Sequence, residues 1–389
     1  MADHTRILAG LCVLLPIVAG CGKRATAPVA APPKPAEPAR PAVDYSGLRV
    51  DETGAIPVVM YHDVAGSRND KMFRTPESFR KDLQLLHDKG FHPVNLRDVT
   101  ANRVSVPAGK SPVVITFDDA RQSQFNLIES EKSYQVDPKC AVGILEDFCK
   151  SHPDWKPAAT FFVLPKSKRT QETFGQTGLG AQKLQYLIDK GYEIGNHSTN
   201  HRTFRKMSAK TVQEELAGAQ AAIVAGAPKA EVVSFALPYG ALPRDKKVQP
   251  FLATGSHAGT TYRHTGVCLA AWRPMHAPGT LKYNPLRIER ITPEDMRFGL
   301  KYWVDELASG RLPRYISDGD PTTVSFPASL KANVDSEKLR ADGVRANPYG
   351  GSGGGSKPIV SSTESAPAKP IDGEGATAPS PAPKPISGN

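Results

Sequence analysis

Long apolar runs are missing from this sequence. The most apolar stretch, Ile7 to Gly20, has fourteen residues, short of the twenty or so that a helix needs to cross a bilayer. Hydrophobic residues make up 39% and aromatics 7%, too little for a 389-residue globule packed throughout. The shortfall is matched by 35 prolines and 33 glycines that gather at the two ends, so the core belongs to the middle. No Lys/Arg cluster interleaved with aromatics is present, which argues against nucleic acid as a partner. The formal charge of +10 then fits anionic surroundings such as a cell wall, a membrane surface or acidic glycans. No repeat of fixed period is visible.

The ends read as export and spacing devices. Residues 1–20 have the short apolar core of a signal peptide, with Arg6 partly offset by Asp3. Val18-Ala19-Gly20-Cys21 resembles a bacterial lipobox, in which Cys21 is acylated and becomes the new N-terminus. By resemblance to lipoprotein sorting in Gram-negative bacteria, Gly22 directs such a protein to the outer membrane, facing the periplasm. Residues 21–46 are Pro/Ala-rich and form an extended spacer. Residues 317–389 lose periodicity and include the Gly350–Ser356 linker, so they are expected to be a disordered tail. A single folded domain is left at 47–316. Its thiols are Cys140, Cys149 and Cys268. A bridge from Cys268 to one of the others and three buried thiols are both open.

Within 47–316, strands and helices alternate. Ile56 to Asp63 and Val113 to Asp119 are apolar runs that stop on polar groups, as strands buried on both faces do at the mouth of a parallel sheet. Phe79 to His87 is an amphipathic helix closed by Gly90. A long insert runs from Ala120 to Pro157, with a helix expected to open at Asp137-Pro138. Ala159–Leu164 is a strand, and Leu184–Ile188 a helix ending at Gly191. Ser208 caps a helix through Val212, Leu216 and Ala219, and Val232–Gly240 is a strand ending in a Pro/Gly turn. Repeated βα units predict an α/β fold, as a barrel or a doubly wound sheet.

A buried strand does not end on Asp118-Asp119 for packing, because ionised carboxylates are costly away from water unless paired or metal-bound. His197 and His201 are four apart, which places two imidazoles on one side of a turn or tight loop. An Asp with two His gives three N/O ligands suited to a divalent ion such as zinc, with positions left for water and substrate.

Thr116-Phe117-Asp118-Asp119, His197-Ser198-Thr199-Asn200-His201 and Phe235-Ala236-Leu237-Pro238-Tyr239-Gly240 resemble, in order, the motifs of the polysaccharide deacetylase family (the NodB homology domain, carbohydrate esterase family 4). The resemblance covers roughly 56–291. It implies a distorted (β/α) barrel and metal-dependent removal of acetyl groups from a glycan. It further implies one divalent ion, zinc by preference, on Asp119, His197 and His201. Asp118 would be the catalytic base, and the backbone N–H of Tyr239 an oxyanion donor. The implied substrate is an exopolysaccharide, peptidoglycan or a chitin-like polymer.

Two positions depart from that pattern. Many members carry an arginine two residues before the Pro of the third motif, paired with the base; here Ala236 stands there, and Arg290, or in second place Arg287, is the candidate replacement. The usual late Leu-x-His motif has only a partial match at Met275-His276. Met60-Tyr61-His62 fits it better, as in circularly permuted exopolysaccharide deacetylases, so His62 is expected to be the general acid with His276 its rival. Two other functions compete. One is a non-catalytic glycan-binding lipoprotein that keeps the fold. The other is a glycosidase using Asp118 and Asp119, for which adjacent carboxylates are poorly spaced.

Overall fold

A computed structural model describes residues 43–350, apart from 132, 169 and 170. The expected signal peptide, the Cys21 lipobox, nearly all of the spacer and the tail beyond 350 lie outside the described residues.

Eight strands build one parallel sheet: β1 Val58–Tyr61, β2 Phe91–Val94, β3 Ser111–Asp118, β4 Thr160–Val163, β5 Glu193–Asn196, β6 Ser234–Ala236, β7 Gly266–Trp272 and β8 Ile288–Arg290. The order is β1-β3-β4-β5-β6-β7-β8, every pair parallel, with β2 also on β3. Val114 pairs with both Val58 and Val94, and Thr116 with both Met60 and Thr160. β2 therefore flanks the first half of β3 and β4 the second half, on the side away from β1. The two ends of the sheet meet. Met60 N–H donates to Ile291 O and Ile291 N–H to Val58 O, both at 2.8 Å, which makes the sheet a nearly closed barrel of the expected α/β type.

The helices follow from their patterning. α1 (Pro76–Asp88) starts at the Thr75 cap with Pro at its first turn, and Gly90 follows in the left-handed region at φ 73°. Its Phe79, Leu83 and Leu86 are fully buried. α2 (Leu96–Thr100) is a short turn of helix. α3 (Ala141–Ser151) begins four residues later than Asp137, because Asp137 Oδ1 instead accepts the N–H of Lys139 in a turn and Cys140 takes the cap position. An antiparallel hairpin, Leu127–Ser130 with Ser133–Val136, fills the insert before it. α4 (Gly180–Asp189), α5 (Ala209–Gly226, capped by Ser208) and α6 (Leu300–Ala308) complete the outer layer. Among the described residues, no helix is long and apolar enough to cross a membrane. Cys140, Cys149 and Cys268 are free and buried, so no bridge from Cys268 forms.

The C-terminal boundary needs correction. Residues 317–349 are ordered rather than disordered. β9 (Thr323–Pro327) and β10 (Arg345–Tyr349) pair in parallel around α7 (Ser336–Ala341), closing over Val324, Phe326, Val334, Leu339 and Val344. Glu52 ties this unit to the start of the barrel: its carboxylate accepts from Ser325 N–H at 2.7 Å and Ser317 Oγ at 3.0 Å. Burial, then the charge of Asp318, pushes Glu52 up to about 8.

Candidate active site

The polar residues predicted from sequence converge at the C-terminal ends of the barrel strands, where parallel α/β barrels carry their chemistry. Asp118 ends β3, His62 follows β1, His197 follows β5, Tyr239 lies just past β6, and Arg290 ends β8. Each strand end must turn sharply to present a side chain inward. Asp119, Ala120, Ser198, His201 and Tyr239 all have positive φ, between 48° and 78°, a conformation that costs a non-glycine residue free energy and persists only where surroundings impose it. Gly240 also lies there at φ 61°, and a Cβ on it would stand 2.6 Å from Ala270 N. Only glycine fits at that position.

Asp119, His197 and His201 form the one group among the described residues with metal-ligand spacing. Asp119 Oδ1 stands 3.3 Å from His197 Nε2 and 3.2 Å from His201 Nε2, yet is buried without a well-directed hydrogen bond. About 3.3 Å is the edge of a tetrahedron whose centre lies ~2.0–2.1 Å from each ligand. His197 Nδ1 donates to Ala236 O at 2.9 Å, so its Nε2 lone pair faces Asp119. Burial and the neighbouring His197 push His201 down to about 4, which keeps it a neutral imidazole. Burial disfavours charge on His197 too, but Asp118 and Asp119 outweigh it and raise its pKa. A proton there is one that an arriving cation would displace. The three residues fit a divalent ion.

Asp118 is held differently. It is 2% exposed and accepts Arg290 Nη1 at 2.7 Å on Oδ1 and Nη2 at 2.8 Å on Oδ2. Arg290, 1% exposed, is fixed by donating Nε to Leu269 O at 2.7 Å. Burial would raise the Asp118 carboxyl, but Arg290 and then His197 hold it below the ordinary carboxylate range. With Ala236 in the third motif, the cation paired with Asp118 is Arg290. Arg287 is not paired with Asp118; it lines a cavity of about 300 Å³ with Arg273, His276 and Lys282. His276 accepts from Arg273 at 2.8 Å there, and its charged neighbours are Arg273 and Lys282. His62 Nε2, in contrast, is 3.9 Å from Asp118 Oδ2. Burial lowers the His62 pKa against the upward pull of Asp118 and Asp119.

Three supporting residues were not legible as site residues. Arg121 spans Asp119 Oδ2 at 2.9 Å and Asp63 at 3.3 Å. Buried Gln124 donates Nε2 to the carbonyls of both His62 and Asp118, tying two strand ends together. Glu215 on α5 accepts from Asn200 N–H at 2.8 Å and Asn200 Nδ2 at 3.0 Å, which shapes the His197–His201 loop. Glu215 did leave a signal: it shares the buried helix face of Val212, Leu216 and Ala219, where an unpaired acid has no place.

The near-closed parallel barrel thus brings an Asp-His-His group with metal-ligand spacing beside an arginine-paired carboxylate. Residues 105–250 match the family model described as polysaccharide deacetylase. No curated protein matches the chain. Among solved structures it is similar to a polysaccharide deacetylase from Bacillus cereus (17% identity, TM-score 0.47, 65% of this chain and 69% of that one). It is also similar to the Streptococcus pyogenes deacetylase PplD in complex with acetate (16%, 0.46, 64% and 97%). A third is IcaB from Ammonifex degensii (17%, 0.46, 66% and 99%).

Proposed function

We propose that this protein is a metal-dependent deacetylase that hydrolyses N-acetyl groups on a hexosamine polymer of the cell envelope or extracellular matrix. The observation that carries this reading is the pairing of two adjacent carboxylates with two different partners. Asp119 turns Oδ1 to two imidazoles while Arg121 holds its Oδ2, whereas both oxygens of Asp118 are taken by Arg290, so one suits a cation and the other stays an ionised base. Asp119, His197 and His201 would hold a divalent ion, zinc by preference. When bound, the ion lowers the pKa of water and polarises the acetyl carbonyl.

The remaining work falls to the chain's own groups. Asp118, kept ionised by Arg290, takes the proton of the attacking water at a carboxylate oxygen. The Tyr239 N–H, presented by the left-handed turn, donates to the developing oxyanion. His62 Nε2, 3.9 Å from Asp118 Oδ2, would give a proton to the departing amine. Proton removal and proton delivery then flank one reacting centre. On this reading β1, closing against Ile291, does the job of the family's usual last strand. Acylation at Cys21 would anchor the enzyme at the outer membrane.

Acetate release tests the function. The full chain is expected to deacetylate at least one of chitin oligomers, poly-N-acetylglucosamine and peptidoglycan, with activity lost to chelator and restored by zinc. Binding without any acetate release would favour the glycan-binding reading instead.

A further inference from the structure

The rim of the site carries charge that the proposed chemistry does not use. The loop after His201 presents Arg205 and Lys206, and the loop after Tyr239 presents Arg244, Lys246 and Lys247. The two loops are joined by Arg244 N–H donating to Arg205 O at 3.0 Å. Phe204 and Val248, buried in one cluster with Phe235, root them in the barrel. Among the described residues none of these five cations is in an ion pair, whereas nearby Arg202 and Lys210 pair with Glu215 and Glu214. The one acid between them, Asp245, is turned to the N–H of Lys247.

Two arginines near His62 and Asp119 are, by contrast, each held by two carboxylates. Arg121 is shared by Asp119 and Asp63, and Arg74 by Asp82 and Asp295. The unpaired charge starts close to the reacting centre. Arg205 is four residues past His201 and Arg244 five past Tyr239, no more than about 14 Å and 18 Å of chain. The Tyr239 ring, 56% exposed and 4.8 Å from the His201 ring, offers an apolar face on which a sugar can lie. Five like charges on two bonded loops repel one another, a cost that a polyanion relieves and a neutral polymer does not.

We propose that the substrate is an acidic glycan: its N-acetylated sugar enters the site while anionic units beyond Tyr239 lie along the Arg205–Lys247 strip. This rests on the deacetylase reading. The test compares heparosan, in which N-acetylglucosamine alternates with glucuronic acid, with neutral chitohexaose. The wild-type full chain is expected to prefer heparosan. K206E/R244E/K246E should lower the heparosan-to-chitohexaose ratio of kcat/KM by at least about tenfold, mainly through KM. K206Q/R244Q/K246Q should fall between, and high salt should erode the wild-type preference. An unchanged ratio in the folded variants overturns the proposal.

If neither these two polymers nor poly-N-acetylglucosamine or peptidoglycan releases acetate, the deacetylase reading fails and binding of labelled heparosan decides the strip separately. Salt-sensitive binding lost in the reversal variant supports it; equal binding in wild type and variant overturns it. Retention of phosphatidylglycerol vesicles without heparosan binding would assign the strip to a membrane and overturn it as well.

Discussion

Replacing Arg290 by Met probes the centre of the site through stability rather than turnover. Arg290 and Asp118 are both nearly inaccessible and joined by two hydrogen bonds of 2.7 and 2.8 Å. Removing the guanidinium leaves a buried carboxylate without its partner, which costs about 3–5 kcal/mol. At roughly 2 °C per kcal/mol for a domain of this size, Tm at neutral pH should drop by about 6–10 °C. The pH dependence fixes the cause. With Arg290 present, the Asp118 carboxyl lies below its ordinary value. Its stabilisation is therefore present above the unfolded value and lost only as pH falls through the lower folded one. Without Arg290, burial acts alone and raises the folded value, so the penalty is largest at neutral pH and is relieved as Asp118 protonates. Thermal melts should show the gap between wild type and Arg290→Met narrowing from about pH 8 to about pH 5. Adding Asp118→Asn to Arg290→Met should recover stability. A gap independent of pH, or a double variant no more stable than the single one, refutes the reasoning.

Three further outcomes are expected. His62→Ala should lower kcat by roughly 10²–10⁴-fold while bound metal persists, with a smaller loss on an activated phenyl acetate, whose leaving group needs no proton; His276→Ala should not show that pattern. Truncation after Ile316 should lower Tm or abolish folding, because it removes the strand and serine contacts of Glu52, whereas truncation after Gly350 should melt as the full chain does. Cys21→Ser should release the protein from the membrane fraction, and unchanged partitioning would mean another anchor.

The barrel was legible because its strands announce themselves twice, by apolar runs and by the polar residues on which they stop. Val113–Asp119 and Val232–Gly240 carry both marks. Arg290 was found only as a replacement sought for an absent residue, since nothing local to Ile288–Arg290 says that the arginine turns inward. Gln124 gave no sign, because its partners are the backbone carbonyls of His62 and Asp118, and contacts of that kind leave no pattern in side-chain type. The 317–349 unit was misread for a related reason. Its strands are five residues each, contain Pro327 and Pro348, and are held by Glu52 from the far end of the chain. Composition near the Gly-rich linker outweighed a partnership that no local period records.

The proposed chemistry requires one divalent ion on Asp119, His197 and His201. It is tested most directly by measuring bound metal and acetate release together on wild type, Asp119→Ala and His197→Ala. The expected result is one zinc-like ion per wild-type chain, lost with activity in both variants. Stoichiometric metal and full activity in either variant would contradict it.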